Sequence, residues 1–245
     1  MEGQYTIIKV ENNSSQPVHT VILPDNSLVL ALQYGNAVYE IIGGKKVALP
    51  EIHLCGLLTH KKEYVREPGA KTILVKFQPW MFNRHFDGMH EIVDCNVDCS
   101  ELVITEDIYP EGDKKILSLL NKVLSFKQAD ASVSNAISII KEKKGQVRID
   151  DLAEEVCNSK RNFERKFKAT TGLSPKTFIQ MTRQSYSRLL LKQSCGLSDV
   201  TYDCGFYDQS HFIHQFKEVT GTTPESYKTN ILPIENWALA SKNVL

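Results

Sequence analysis

Two stretches of this chain carry the same side chains at the same intervals. Phe163, Phe167-Lys168, Thr171-Gly172, Ser174-Pro175 and Phe178 recur forty-nine positions later as Phe212, Phe216-Lys217, Thr220-Gly221, Thr223-Pro224 and Tyr227. Phenylalanines four apart share one face of a helix. In the first copy Lys160, Arg161, Glu164 and Arg165 then lie away from that face, with Lys168 beyond them. In the second copy Gln209, Ser210, His211 and His214 point outward. Arg, Gln and Ser can hydrogen-bond base edges in a major groove, and Lys neutralises phosphate. This is the chemistry of reading double-stranded DNA. One copy alone reads equally well as a helical hairpin with a polar solvent face; the duplication favours DNA.

Bond-making chemistry finds no foothold. The chain has no P-loop, no G-x-S-x-G, no H-E-x-x-H and no Rossmann glycines, so no catalytic residue and no cofactor is assigned. His53, His60, His85 and His90 are scattered, which predicts no metal site. Of the six cysteines, Cys55, Cys95, Cys99, Cys157, Cys195 and Cys204, only Cys95 and Cys99 lie close together, and no second pair completes four ligands. Reduced thiols are expected.

Each copy of the repeat needs a helix, a turn and a second helix to present its outward residues. In the first, Asp150 or Asp151 is expected to cap a short helix over 152–156. Asn158 and Ser159 break it, Ser159 caps the next helix, and Gly172 closes that one in a left-handed conformation. In the second, Gly205 makes the turn and Asp208 caps. Between the copies Ser174-Pro175 starts a long helix, with Phe178, Ile179, Tyr186, Leu189 and Leu190 inward and Gly196 as its stop. Over 175–193 such a rod is roughly 28 Å long. The major groove repeats every ~34 Å, so the rod suits two reading heads on one face of a duplex, and one chain would read an asymmetric site.

The charge distribution separates the chain into two parts. Its formal net charge is zero, but residues 1–130 hold 13 basic and 17 acidic residues, whereas 141–192 hold 13 basic and 6 acidic. Only the rear section has the electrostatics to approach a phosphate backbone. The front reads as strands. Apolar or β-branched runs over 5–10, 18–23, 28–32, 37–42, 52–58 and 72–77 alternate with turn signals such as Pro24-Asp25-Asn26, the hairpin candidate Gly43-Gly44, and Pro68-Gly69. That spacing predicts a β-sandwich or barrel. Asp113 is expected to cap a helix bearing Ile116, Leu117, Leu120, Val123 and Leu124. A second helix is expected over 132–143, with Val133, Ala136, Ile137 and Ile140 inward and Gly145 at its end. Ile116, Leu120, Val123 and Leu124 either form a dimer seam or pack on the chain's own β domain. No run approaches a membrane span, and no secretory signal pattern opens the chain. A cytoplasmic, membrane-free protein is expected, bound to the nucleoid when on DNA.

These residues resemble the AraC/XylS family of bacterial transcription regulators. The resemblance runs over about 145–228. It is carried by Leu152-Ala153, Ser159, Phe163, Arg165, Phe167-Lys168, Thr171-Gly172, Ser174-Pro175, Arg183, Gly205-Phe206, Asp208 through Phe212, Phe216-Lys217, Gly221, Thr223-Pro224 and Tyr227. Three positions depart from the pattern: Cys157 replaces a turn glycine, Thr201 an alanine, and His214-Gln215 arginines. The resemblance implies DNA contacts by Lys160, Arg161, Glu164 and Arg165 in the first module, and by Gln209, Ser210, His211 and His214 in the second.

In the front half, Leu54 through Thr59, Pro68-Gly69-Ala70 and Phe77-Gln78-Pro79 look like the cupin-like sensor half of such regulators. The expected fold is therefore α+β in two domains. A β-rich cupin-like barrel or sandwich spans 1–112, a helical linker 113–144, an all-α double helix-turn-helix domain of homeodomain-like type 145–230, and a tail 231–245. The implied function is a sequence-specific DNA-binding regulator, more commonly an activator, responsive to a small-molecule effector. Implied partners are promoter or operator DNA, RNA polymerase and a second copy as homodimer. An adaptive-response repair or alkyl-sensing protein with an appended AraC-type module is the alternative from another class, prompted by Cys95 and Cys99.

Overall fold

Strand Leu28–Gly35 (β3) explains much of the architecture, because its neighbouring residues are buried in opposite directions. Leu28, Leu30 and Leu32 belong to a core shared with helices, whereas Val29, Ala31 and Gln33 line a cavity on the other side. Side chains alternate across a strand, so this sheet is a middle layer wetted on neither face. The computed structural model describes residues 5–82, 89–102, 130–193, 195–229 and 234–235.

Ten strands form two five-stranded sheets. The middle sheet holds Tyr5–Glu11 (β1), Ala70–Phe77 (β8), β3, Ile52–Cys55 (β6) and Asn96–Asp98 (β9), in that order and antiparallel throughout. The second holds Ile234–Glu235 (β10), Val18–Ile22 (β2), Lys62–Arg66 (β7), Val38–Ile42 (β4) and Lys45–Ala48 (β5). Its pairings are antiparallel except that β10, from the predicted tail, runs parallel to β2. Every strand predicted from hydrophobic runs is present. The Gly43-Gly44 hairpin also forms, with both glycines at positive φ and Ile42 facing Lys45.

Four strands were not predicted. β5 is exposed along its length and carries two lysines, β7 hides a charged pair, and β9 and β10 are only three and two residues long. None of these is an apolar run. The run over 52–58 stops at Cys55. A Cβ on Gly56 would lie 1.5 Å from the Ile92 carbonyl oxygen, and the Gly56 N–H turns aside to donate to Cys95 O at 2.9 Å.

Seven α-helices follow among the described residues, the first of them on the outer face of the middle sheet. They are Ala131–Glu142 (α1), Ile149–Glu155 (α2), Lys160–Thr171 (α3), Pro175–Lys192 (α4), Leu197–Asp203 (α5), Gln209–Thr220 (α6) and Pro224–Thr229 (α7). Asp130 caps α1 by accepting from Ser132 N, and Val133, Ala136, Ile137 and Ile140 are buried as expected. The helix expected from Asp113, with Ile116 through Leu124, lies outside the described residues, as does His85.

Two cap assignments change, and a third keeps its place without its side-chain bond. Arg148, not Asp150 or Asp151, precedes α2, because Ile149 already joins the helix to place Leu152 and Ala153 inward; the two aspartates sit in its first turn, where they favour the helix dipole. Ser159 occupies the N-cap of α3 but makes no side-chain cap bond. Gly196 does not stop α4: Gln193 caps its C-terminus, and Gly196, at φ −65°, is the N-cap of α5. On α4, Phe178, Ile179 and Leu190 are buried and Tyr186 is partly buried. Leu189 is only half-buried, and Leu191 takes the inward place assigned to it.

Sheet and helices share one hydrophobic core. Leu28, Leu54, Val75 and Phe77 of the middle sheet join Ile137, Phe163, Phe167 and Phe178 in a single cluster. A second cluster joins Leu23 of the β2–β3 loop to Leu190, Leu191, Val200, Phe206, Phe212, Phe216 and Tyr227. Thus α4 contributes its first half to one cluster and its last turns to the other. No helix among the described residues is long and apolar enough to cross a membrane.

Candidate nucleic-acid interface

The two repeats fold as matched helix-turn-helix units. In the first, α2 and α3 meet through Phe163 and Phe167, whose rings sit 5.6 Å apart edge-on, with Phe178 of α4 5.4 Å from Phe167. In the second, Phe212 and Phe216 repeat the 5.6 Å edge contact, with Tyr227 5.3 Å from Phe216. Gly172 and Gly221 close the two second helices at φ 80° and 75°, each N–H bonding back four residues. Asp208 caps α6 through His211 N at 2.7 Å, and Ser174 caps α4 through Thr177 N at 3.1 Å.

With the phenylalanines fixed inward, the predicted contact residues emerge on the surface. Lys160, Arg161, Arg165 and Lys168 are exposed on α3, and Glu164 is half-buried. Gln209, Ser210, His211 and His214 are all exposed on the first turns of α6. They form two separate groups, one per module. Several already hold local partners: Lys160 pairs with Asp150 at 2.8 Å, Arg165 donates to Asn162 Oδ1 at 2.9 Å, Gln209 donates to Ser198 Oγ at 2.6 Å, and His211 meets Gln215 at 2.8 Å. These exposed bonds are weak enough to exchange for a ligand. Lys166, which the sequence did not single out, pairs with Asp130 at 2.8 Å and ties α3 to the start of α1. That bond and Ser132 hold the Asp130 carboxyl down to about 2.

The modules are braced against each other and against the β domain. Arg183 of α4 donates to Gly145 O at 3.0 Å and to Gly205 O at 3.3 Å, and its guanidinium lies 5.5 Å from the Phe206 ring centre. Gln146 donates to Asp203 O at 2.6 Å. On the other side of α4, the Asn26 amide donates to Phe178 O at 2.9 Å and Thr182 Oγ1 at 2.7 Å, while Ser185 and Arg188 both donate to Pro24 O. Gly172, at the end of α3, sits so close to the Met89 carbonyl oxygen that a Cβ would lie 2.5 Å from it.

A cavity of about 60 Å³ lies between the two sheets. Its wall is mostly apolar, from Ile22, Val29, Ala31, Val38 and Leu74, with Gln33, His53, Arg66 and Thr72 as polar points. His53 bonds Pro50 O at 2.9 Å, and burial lowers its pKa. Burial pushes the Cys55 thiol up to about 12, which keeps it protonated and unreactive. Beside the cavity, Lys62 and Glu40 form a buried ion pair at 2.7 Å, and Asn96 donates to the other Glu40 oxygen. Among the described residues, no three His, Cys, Asp or Glu side chains gather as a metal site. Cys95 is exposed and Cys99 buried, both as free thiols.

Known proteins resemble this chain in two ways. Residues 152–230 match the model of a helix-turn-helix domain family. The HTH-type transcriptional activator RhaS of Escherichia coli (strain SE11) is 32% identical over 84 residues, which is 34% of this chain and 30% of that protein. An uncharacterized HTH-type transcriptional regulator of Haemophilus influenzae is 28% identical over 116 residues, 46% of this chain and 39% of that one. The chain thus covers about a third of the length of these curated relatives. Among solved structures, ToxT from Vibrio cholerae O395 bound to (E)-4-(8-methylnaphthalen-1-yl)but-3-enoic acid superposes with a TM-score of 0.51 at 13% identity, over 92% of this chain and 98% of that one. That likeness is one of fold: a β-rich N-terminal part followed by helices.

Proposed function

We propose that this chain, whose residues 152–230 are an AraC-type helix-turn-helix domain, is a sequence-specific transcription regulator that reads double-stranded DNA with α3 and α6 together. One observation carries the reading: Arg165 and its neighbours, and Gln209 and its neighbours, stand exposed on the leading turns of two helices joined by a single braced rod. Side chains so placed can enter adjacent segments of a major groove. Contact with RNA polymerase, homodimerisation and residence in the cytoplasm belong to the same proposal.

The N-terminal sheets are read as a cupin-like effector domain. The cavity between them suits a small, largely apolar molecule with one polar group, since its wall is aliphatic apart from a few polar points. Its signal has a short route. Leu23, Asp25 and Ser27 line the cavity, while Pro24 and Asn26, between them, hold α4. The regulator relatives and the separation of Cys95 from Cys99 in exposure favour this reading over a repair protein.

Selection of bound duplexes from a random pool tests it. A recovered asymmetric site is expected, with Arg165→Ala losing about 1–3 kcal/mol of preference at one base position. Lys168→Ala is expected to weaken all sequences evenly. No binding at low salt by the folded chain would overturn the proposal, and an Arg165→Ala variant with unchanged affinity and preference would overturn the placement of α3.

A further inference from the structure

The two reading helices differ in charge. α3 carries Lys160, Arg161, Arg165, Lys166 and Lys168 against Glu164, whereas α6 carries one cation, Lys217, in its last turn against Glu218. The second module as a whole adds Asp199, Asp203 and Asp208. Module one can hold phosphates by charge; module two repels them on balance. If α6 is to stay in a groove, its backbone anchors must be uncharged donors.

Tyr207 stands where such a donor is needed. It immediately precedes Asp208, the N-cap of α6, and so sits beside the end of the helix that meets the base edges. It is 94% exposed, one of four large apolar side chains exposed among the described residues. Its side chain has no hydrogen-bond or ring partner among those residues. A single exposed aromatic side chain is ordinary by itself; what marks this one is its place beside the N-terminus of α6. A phenol there offers a hydroxyl to a phosphate oxygen, a contact that tyrosine commonly makes to the DNA backbone, and a flat ring to the adjoining sugar. Asp208 spends its carboxylate on His211 N, so the cap leaves the Gln209 and Ser210 N–H groups free beside it.

We propose that Tyr207 is a DNA-backbone contact, its hydroxyl donating to a phosphate at the edge of the groove read by α6, and that it replaces the cations this module lacks. This rests on the DNA-reading proposal above. The test uses the full chain, its selected site and an unrelated duplex of equal length, titrated between 50 and 200 mM salt. Tyr207→Phe is expected to weaken both complexes about three- to tenfold, with Tyr207→Ala at least as weak. The slope of log affinity against log salt is expected to stay at the wild-type value, because a neutral donor releases no counterion. Lys168→Ala, run alongside, should lower that slope by about 0.9. Thermal unfolding of Tyr207→Phe should match wild type, since the side chain packs on nothing. A change under twofold, a loss confined to one base position, or a reduced salt slope would overturn the assignment. Absence of binding by the unsubstituted chain would instead overturn the DNA reading itself, and this inference with it.

Discussion

Arg188 donates a guanidinium N–H to the carbonyl oxygen of Pro24 from a position with no exposed surface, joining α4 to a β2–β3 loop of which Leu23, Asp25 and Ser27 line the inter-sheet cavity. Pro24 and Asn26 hydrogen-bond to α4, and Leu23 also packs with Leu190 and Leu191 of that helix. On the function proposed above, a ligand that shifted this loop would act on α4, the helix that joins the two modules.

Asn26 is the part of this clamp open to clean substitution. It sits at φ 61°, and its amide nitrogen makes both bonds to α4. Asn26→Gly keeps the backbone conformation accessible and removes only the side-chain bonds. It is expected to cost about 1–3 kcal/mol in urea unfolding. Cleavage within the β2–β3 loop by a low dose of protease should rise as well. Unchanged stability would show that the clamp contributes nothing to holding the two halves together.

Arg183 makes a separable prediction, because it braces one module to the other rather than either to the β domain. Arg183→Ala removes its bonds to Gly145 and Gly205 and its contact with Phe206. Affinity for a complete two-part site should fall by about tenfold or more, while affinity for the part read by α3 alone stays within a factor of two. Equal losses on both duplexes would mean that Arg183 touches DNA directly or that the first module has been damaged.

The Glu40–Lys62 pair is buried on both sides. Breaking such a pair strands a charge in a low-dielectric interior, so Lys62→Met alone should destabilise by about 3–5 kcal/mol. The double substitution Glu40→Leu with Lys62→Met should recover most of that loss, even though Asn96 then gives up its bond to Glu40. A double variant no more stable than the single one would show that the pair has a structural use beyond mutual neutralisation.

Lys141 ties stability to alkaline pH. Burial holds its ammonium down to about 8 from 10.5, with Lys76 adding to the effect and Asp25 opposing it. The unfolded chain keeps this proton over a range where the folded chain has released it. The penalty is therefore full below pH 8 and is relieved as pH rises from about 8 to about 10.5. Lys141→Met removes the titration but also the bond to Gln78 Oε1. It should be more stable than wild type by about 1–3 kcal/mol near pH 7, with the gap closing toward pH 10.5. A gap that stays constant across this range would refute the assignment.

What depends on near neighbours could be read from the order of residues alone. Helix periodicity placed Phe163 and Phe167 inward and so exposed Arg165. Asp208 and Ser174 cap through residues three along, and Gly43-Gly44 turns within its own hairpin. The duplication was legible because both modules solve the same local problem. Features that need residues far apart in the chain to meet emerged only on folding. Nothing near Arg188 in the chain announces its burial, which rests on Pro24, 164 residues away, accepting its N–H. Lys62 lay in no apolar run, yet Glu40 allows it to be buried. The apolar run of β3 predicted a strand, but that it serves a cavity with one face and a helical core with the other follows only once helices cover the sheet. Caps and periodicity involve energies fixed within a turn or two of chain; burial of charge depends on which distant group arrives to satisfy it.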